Sequence, residues 1–270
     1  MKRIFNPILI SIIFISLFIS CGDKNTGFVI MPRSQEILLG EQLDSTIKAN
    51  PEDYPILPDT GIYSSAYDYL EGMMNSILTN SYQSFNDKWE WKVTIINEDV
   101  MNAFAAPGGK LYFYTGLMKY LDNGANLAGV LAHEMAHVEL RHSAKQMQAA
   151  YGMNFAASIL FGTEKSQLET IVGDIAAGLA ALQFSRGDEY QADEFSVKYL
   201  SGTSYHPKGI AGFFEQLNAD GKTNESWEVL SSHPSDDNRL ANIEEVWEGL
   251  GSPDGDYFEA DYNNFKTMLP

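Results

Sequence analysis

Several features are scarce in this sequence of 270 residues. It has a single cysteine, Cys21, so a disulfide within the chain is excluded. Its 18 basic residues are outnumbered by 36 acidic ones. The resulting formal net charge of -18 repels phosphate backbones, so we expect no nucleic acid among the partners of this protein. The interior contains no repeat and no linker rich in serine, glycine or proline, which predicts one main folded domain.

The N-terminal segment is typical of a secretory signal peptide. A basic start is followed by an apolar run over residues 8–19, which is too short to span a bilayer comfortably. The segment that ends at Cys21 resembles a bacterial lipobox, in which the cysteine is acylated after cleavage, although Phe18 stands where leucine is usual. We predict a lipoprotein signal peptide over residues 1–20, lipidation of Cys21 and a polar tether over residues 21–33. An uncleaved anchor and a coincidental cysteine are the alternatives.

The hydrophobic pattern after the tether predicts an α+β fold that is mostly helical. Trp91, Val93 and Ile95 alternate with polar residues, which predicts a strand with one buried face. Two further extended segments flank Pro107-Gly108-Gly109, a typical hairpin turn because proline fixes one dihedral angle and glycine accepts positive ones. Strands are expected over residues 91–97, 101–106 and 110–115, and helices over residues 34–48, 66–78, 189–200, 207–217 and 236–247.

A short motif in a segment with helical periodicity suggests metal chemistry. His133 and His137 are about one helical turn apart, so both imidazoles face the same way. Zinc in catalytic sites takes three protein ligands and a water molecule. Glu134 lies next to the metal-facing edge, where it can take a proton from that water. The alternative is a pair of exposed or core histidines, because the five-residue motif also occurs by chance in unrelated helices.

A candidate for the third ligand lies downstream in a second segment with helical spacing. There Glu189 and Asp193 stand one turn apart on a common face. Glu189 can then reach the metal while Asp193 accepts a hydrogen bond from the second ring nitrogen of a ligand histidine. From this spacing alone, a solvated acidic helix is an equally good interpretation. Two histidines and one carboxylate suit one Zn²⁺ ion per chain better than other divalent metals.

Further motifs occur in a fixed order around these residues. They are Asn102 to Gly109, Gly116-Leu117, Arg141-His142, Ser185-Arg186, Ala192-Asp193, Tyr205 to Pro207, His233-Pro234 and Arg239. Together with the metal motif they resemble the gluzincin metallopeptidases of the HtpX-like and CAAX prenyl protease type, which include bacterial periplasmic quality-control proteases. The resemblance covers roughly residues 34–247. It implies a zincin-type metallopeptidase domain, which we place at residues 34–270, with a small β-sheet and hairpin beside the active-site helix.

The resemblance also implies roles that the spacing does not. Glu189 becomes the expected third zinc ligand. His233 corresponds to a histidine near the active site, where it stabilises the oxyanion of the tetrahedral intermediate, although a loop histidine before a proline is the alternative. Asp193 and Arg186 are expected to contact the metal-binding residues. The residues expected to lie along the cleft and bind an extended peptide by strand addition are Asn102, Ala103, Phe104 and Ala105.

Three interpretations of the function remain open. The resemblance implies a lipid-anchored metalloendopeptidase of the bacterial cell envelope, at the periplasmic face of the outer membrane, that cuts unfolded or misassembled envelope proteins. A chaperone-like protein that keeps the zinc site and holds its clients is the second. The third is a latent protease whose metal is covered by His233 or by a loop. Glu134 favours the enzyme, because a pure binder needs no base beside the metal. His142 and His206 are expected not to bind zinc.

Overall fold

The computed structural model describes residues 29–81, 89–161, 165–221, 232–234 and 237–270. The predicted signal peptide, Cys21 and most of the predicted tether lie outside the described residues. The described chain is mostly helical with one small sheet, which confirms the α+β prediction. The helices are α1 (Arg33–Lys48), α2 (Ser64–Asn80), α3 (Thr115–Tyr120), α4 (Gly124–Glu139), α5 (His142–Phe161), α6 (Lys165–Gly178), α7 (Arg186–Leu200), α8 (Gly209–Ala219), α9 (Asp237–Gly249) and α10 (Glu259–Lys266), and the strands are β1 (Lys92–Ile96), β2 (Ala103–Ala106) and β3 (Lys110–Tyr114). None of the described helices is both long and apolar enough to cross a membrane.

The three strands form one sheet in the order β1-β3-β2. β1 runs parallel to β3, and β2 runs antiparallel to β3, with Phe104 opposite Tyr112. The connection between β2 and β3 is the 3₁₀ turn Pro107–Gly109, in which Gly108 and Gly109 have φ angles of 80° and 92°. Glycine adopts such angles without strain, so the predicted hairpin is confirmed. β2 forms one edge of the sheet and contacts α4.

Both faces of this sheet are buried. Val93 and Ile95 point to the face that packs against α2 and α4. Thr94 and Ile96 point to the opposite face, which α1 and α6 cover. The prediction that β1 has one buried face is therefore wrong, because two helices distant in sequence supply a second hydrophobic layer. Sequence alternation in a strand reports the polarity of its side chains but not what is packed above them.

α4 is the central helix of the fold. Every residue from Gly124 to Val138 is buried, including the metal motif, because other elements pack on α4 from several sides. It contacts β2 on one side and α7 and α8 on others. The contact with α8 requires glycine, because a Cβ on Gly129 would lie 2.1 Å from the backbone nitrogen of Ile210. A Cβ on Gly209 would likewise lie 1.9 Å from the backbone oxygen of Ala125, so α8 is held close to α4.

α7 begins three residues before the predicted start. Its N-cap is Ser185, whose Oγ accepts a hydrogen bond from the backbone N–H of Asp188 at 3.2 Å. The Asp188 carboxylate in turn accepts a hydrogen bond from the backbone N–H of Ser185 at 3.3 Å. This reciprocal capping box satisfies two backbone donors at the helix start. It fixes the start of α7, the helix that packs against the central helix α4.

Candidate metal centre

The two motif histidines lie on the buried face of α4 that points toward α7. Their Nε2 atoms are 3.0 Å apart, and the exposed fractions of the two residues are 3% for His133 and 0% for His137. α7 brings Glu189 against them, with its carboxylate oxygens 3.5 Å from His133 Nε2 and 3.4 Å from His137 Nε2. His233, in the segment before α9, completes the group. One donor atom from each of these four residues lies within 4.8 Å of the others.

This donor set fits a single zinc ion. Imidazole nitrogens and a carboxylate oxygen are the ligands that zinc takes in catalytic sites. The same pocket contains an unsatisfied acceptor, because Glu134 Oε2 is buried and has no hydrogen-bond partner in the described part of the chain. Buried polar atoms without partners are rare in proteins and call for an explanation such as an ion or a water molecule at the site. The predicted grouping of His133, His137 and Glu189 is therefore present in the structure.

Asp193 and an arginine make polar contacts with residues of the ligand group. Asp193 Oδ1 lies 3.0 Å from His133 Nδ1, on the ring edge that faces away from Glu189. Arg239 donates to both oxygens of Asp193, with Nε and Nη2 each at 2.7 Å, and its Nη1 lies 2.7 Å from Glu189. Arg186, predicted for such a role, is instead exposed in the first turn of α7. The guanidinium that contacts both carboxylates belongs to Arg239, because α9 packs against α7.

The second ring nitrogen of His137 also has a polar neighbour. His142 Nδ1 lies 3.0 Å from His137 Nδ1, and His142 Nε2 lies 3.1 Å from the side-chain oxygen of Gln191. A ligand histidine that binds through Nε2 carries its proton on Nδ1, so His142 is placed to accept that proton in a hydrogen bond. His142 is buried and is not one of the four residues in the ligand group. His206 lies elsewhere, stacked on Tyr257 with ring centroids 4.7 Å apart.

Burial and charge set the protonation of the histidines. Burial lowers the pKa of His133, but contacts with Asp193 and Glu189 outweigh it and raise the pKa to about 9. Burial holds the pKa of His137 well below its usual range. His133 is thus the histidine of the motif that carries a proton readily, and a metal ion must displace that proton to reach Nε2.

The two buried glutamates have opposite pKa shifts. Burial raises the pKa of Glu134, and the nearby histidines only partly offset this effect. Burial also acts on Glu189, but the charges of His233 and Arg239 outweigh it and hold the pKa of Glu189 well below its usual range. Two carboxylates in one cavity whose pKa values are shifted in opposite directions suit different tasks, Glu189 as a permanent anion and Glu134 as a proton acceptor.

His233 and Phe184 pack against the residues of the ligand group. His233 Nε2 lies 3.5 Å from Glu134 Oε1, and His233 Nδ1 lies 3.0 Å from Glu189 Oε1, so this loop residue touches both glutamates. Phe184 stacks on the His137 ring at a centroid distance of 3.9 Å, and its backbone N–H donates to Ser232 at 3.1 Å. Phe184 was not predicted from the sequence, and no local signal marks it, because its position depends on contacts with Ser232 and His233, which are distant in sequence.

The predicted peptide-binding strand is covered. Asn102, Ala103, Phe104 and Ala105 are all buried, with exposed fractions between 0% and 3%. Asn102 Nδ2 donates to the backbone oxygen of Ala180 at 3.1 Å, in the 3₁₀ turn that follows α6. Phe104 stacks on Tyr112 at 4.6 Å in the core between the sheet and α6, which corrects its predicted role to core packing. β2 is an edge strand of the sheet, but its residues are buried in this conformation, so strand addition there remains a prediction.

Comparison with known proteins gives a consistent result. The family model for peptidase family M48 matches residues 65–247, more than half of the chain. The beta-barrel assembly-enhancing protease of Yersinia pestis is 25% identical over 255 residues, which are 87% of this chain and 51% of that protein. Metalloprotease YcaL of Escherichia coli is 36% identical over 147 residues, covering 53% of this chain and 57% of that protein.

A third relative is the mitochondrial metalloendopeptidase OMA1 of Arabidopsis thaliana, which is 30% identical over 145 residues, covering 54% of this chain and 29% of that protein. The matched regions therefore cover between 29% and 57% of the length of these three relatives. The family match extends from α2 to α9 and includes the ligand group, the glutamate beside it and Arg239. By this match, and by a site that fits a zinc ion, the chain belongs to peptidase family M48.

Proposed function

We propose that this chain is a zinc-dependent endopeptidase that hydrolyses peptide bonds of unfolded or misassembled proteins in the bacterial cell envelope. The observation that carries the proposal is the meeting of donor atoms from His133, His137, Glu189 and His233 within 4.8 Å, beside the buried carboxylate of Glu134. The relatives named as proteases support the activity, and those named beta-barrel assembly-enhancing proteases support envelope proteins as substrates.

His133, His137 and Glu189 are the proposed zinc ligands. When bound, zinc lowers the pKa of water and polarises the carbonyl of the peptide bond. Glu134 acts as the general base, because its Oε2 is unpaired and can accept a proton, and burial raises its pKa. It then passes the proton to the leaving nitrogen. Asp193 holds the second nitrogen of His133, and Arg239 keeps Asp193 and Glu189 ionised.

His233 has two possible roles that oppose each other. As a donor beside Glu134, it stabilises the negative oxygen that forms when the peptide carbonyl is attacked. As a member of the ligand group, it fills a position that a substrate needs, and the protein is then latent. The contact of the turn Leu179–Ala181 with β2 favours the latent state in the same way, because a peptide that pairs with this edge would have to displace the turn.

The first experiment measures bound zinc and casein cleavage for the full-length protein and for Glu134→Gln. We expect zinc in both proteins and cleavage by the parent alone. Zinc in both with cleavage in neither would favour the latent protein or the client-holding chaperone. Absence of zinc from the purified parent after incubation with zinc would contradict the proposal.

A second substitution separates the two roles of His233. His233→Ala abolishes cleavage if the side chain stabilises the oxyanion, and it increases cleavage if the side chain covers the metal. His206→Ala is the matched control, because His206 is a buried histidine stacked on Tyr257, outside the ligand group. If neither the parent nor His233→Ala cuts casein, but the parent suppresses casein aggregation, the client-holding function is supported.

The location is part of the same proposal. We propose that residues 1–20 are removed, that Cys21 is acylated, that residues 21–33 form a tether and that residues 34–270 form the metallopeptidase domain at the periplasmic face of the outer membrane. The signal-peptide pattern and the lone cysteine support it. Cys21→Ser is expected to release the protein from the membrane fraction of the cell. Retention of that variant in the membrane fraction would contradict lipid anchoring.

A further inference from the structure

Arg141 joins the metal-motif helix to the next helix in a backbone conformation that arginine rarely adopts. α4 ends at Glu139 and α5 begins at His142, so Arg141 lies between them. Its φ angle is 63°, in the left-handed region. Glycine is the usual residue at this place after a helix, because it has no Cβ to clash with the backbone. Another residue keeps such an angle only where its surroundings hold it there.

The turn at Arg141 ends one helix and starts the other. Its backbone N–H donates to the oxygen of Val138 at 3.0 Å, in the last turn of α4. Its backbone oxygen accepts a hydrogen bond from the N–H of Lys145 at 3.0 Å, in the first turn of α5. Because both helices are bonded to this one residue, its dihedral angles set the direction in which α5 leaves α4.

The direction of α5 decides whether His142 reaches the ligand His137. The Nδ1 atoms of the two rings are 3.0 Å apart, and His142 Nε2 lies 3.1 Å from the side-chain oxygen of Gln191. An amide oxygen only accepts, so His142 donates through Nε2 and its Nδ1 is an acceptor. His137 can then donate from Nδ1 and keep Nε2 for zinc. A hydrogen bond of about 3 Å is lost if α5 moves even slightly away.

Two groups at the start of the described chain hold the side chain of Arg141. Its Nε donates to the Glu36 carboxylate at 2.7 Å, and its Nη2 donates to the same carboxylate and to the backbone oxygen of Met31. Glu36 and Met31 are each 1% exposed. A buried carboxylate requires a cation, so this contact fixes the guanidinium against α1. The anchored side chain in turn keeps the backbone of Arg141 in its left-handed turn.

We propose that Arg141 is a positioning residue for the zinc site, whose contacts with Glu36 and Met31 hold the turn that brings His142 against His137. The inference rests on the proposed zinc ligands and adds a residue that acts through His142 instead of contacting the metal. Met31 belongs to the predicted tether over residues 21–33. The segment that leads toward the predicted lipid anchor is therefore bonded to the turn after the metal-motif helix.

A double-mutant cycle in the full-length protein tests the connection. Zinc affinity is measured by competition with a chelator for the parent, Arg141→Ala, His142→Phe and the double variant. Each single substitution is expected to weaken zinc binding about tenfold to a hundredfold, because each removes the acceptor of the His137 ring proton. The double variant is expected to bind no more weakly than the weaker single variant. Losses that multiply, or an unchanged affinity in Arg141→Ala, would overturn the inference.

Glycine at position 141 separates the turn from the ion pair. Arg141→Gly and Arg141→Ala are compared in a Glu36→Gln background, so that no buried carboxylate is left without its cation. Glycine adopts a positive φ without strain and alanine does not, so the glycine variant is expected to bind zinc more tightly than the alanine variant. Equal affinities of these two variants would show that the turn is not the cause.

A second ion pair between separate parts of the chain serves as the matched control. Lys208 contacts Glu244 at 2.9 Å and touches no member of the ligand group. Lys208→Ala is expected to leave zinc affinity within about twofold of the parent, as for an ordinary exposed ion pair. A loss as large as that of Arg141→Ala would indicate a general loss of stability and would contradict the inference.

NMR of the protein labelled with ¹⁵N-histidine observes the ring contact directly. The His137 Nδ1 proton is expected to be protected from exchange with water in the parent, and to lose this protection in Arg141→Ala as in His142→Phe. Unchanged protection in Arg141→Ala would overturn the inference. The same spectra of the metal-free protein separate it from the proposed function. A parent that binds no zinc counts against the endopeptidase, while these spectra still decide whether Arg141 keeps the two rings together.

Discussion

Raising the pH from about 6.5 to about 9 is expected to strengthen zinc binding at this site. His133 is the reason, because contacts with Asp193 and Glu189 outweigh its burial and raise its pKa to about 9. Zinc can use Nε2 only on a neutral ring, so binding must release the extra proton. Burial also raises the pKa of Glu134, so raising the pH also removes any proton held by this carboxylate.

The magnitude follows from the pKa of His133. At pH 7 about 1% of the metal-free rings are neutral, so the apparent zinc affinity is about a hundredfold below its value at high pH. The affinity is expected to rise about tenfold for each pH unit between about pH 7 and pH 8, and to level off above about pH 9. Competition with a chelator, corrected for the chelator's own protonation, measures this slope. Calorimetry in two buffers of different ionisation enthalpy counts the released protons independently.

A substitution tests whether Asp193 is responsible. Asp193→Asn removes one of the two carboxylates that raise the pKa of His133, so the pH at which zinc affinity levels off is expected to fall. The zinc affinity of this variant at high pH is also expected to fall about tenfold to a hundredfold, because the His133 ring loses the carboxylate that orients it. Asp261→Asn, an exposed aspartate on α10, is the control for general charge effects. A zinc affinity in the parent that does not change between about pH 7 and pH 8 would refute this reasoning.

Three further predictions concern the same network. First, the raised pKa of His133 stabilises the metal-free protein fully below the unfolded pKa of about 6.5, and this stabilisation is lost as the pH rises through about 9. Urea unfolding after chelation is expected to show a loss of about 3 kcal/mol in the free energy of unfolding across this range. A free energy of unfolding that does not change with pH would contradict the shift. Second, His142→Phe is expected to weaken zinc binding about tenfold to a hundredfold, because the ring proton of His137 loses its acceptor. His206→Phe serves as the control, and an equal loss in both variants would exclude a specific effect. Third, Arg239→Met is expected to cost about 3–5 kcal/mol in urea unfolding of the zinc-loaded protein, since it leaves two buried carboxylates without their cation. A loss below about 1 kcal/mol would show that zinc alone compensates both charges.

Local spacing was sufficient for the elements that present the metal ligands. His133 and His137 are four residues apart on one helix, so helical geometry alone places their rings together. Glu189 and Asp193 follow the same rule on α7, but their spacing left a solvated helix equally possible. The resemblance to a metallopeptidase family removed that ambiguity, and the packing of α7 on α4 agrees with it. The hairpin around Pro107–Gly109 was also predictable, because its turn chemistry is local.

Predictions that depended on what packs against a segment were less successful. The alternation in β1 indicated one buried face, whereas α1 and α6 cover the second face. Phe104 was expected along a substrate cleft and is instead stacked in the core. Arg186 was expected beside the ligands and lies at the exposed end of its helix. The helices that cover β1 and the arginine that takes the place expected for Arg186 are distant in sequence, and residue spacing carries no information about them.

The sequence by itself determined the metal motif, its helix and the α+β class, because these depend on residue types and on periodicities of a few residues. It indicated Glu189 as the third ligand only through the resemblance to a family. Only the tertiary structure decided that Arg239 balances two buried carboxylates, that Phe184 stacks on His137, that a turn covers β2 and that Glu36 on α1 contacts Arg141. These features arise where helices far apart in the chain meet. The charge and burial of a side chain in such a place depend on all its neighbours at once, and those neighbours are fixed only when the chain has folded.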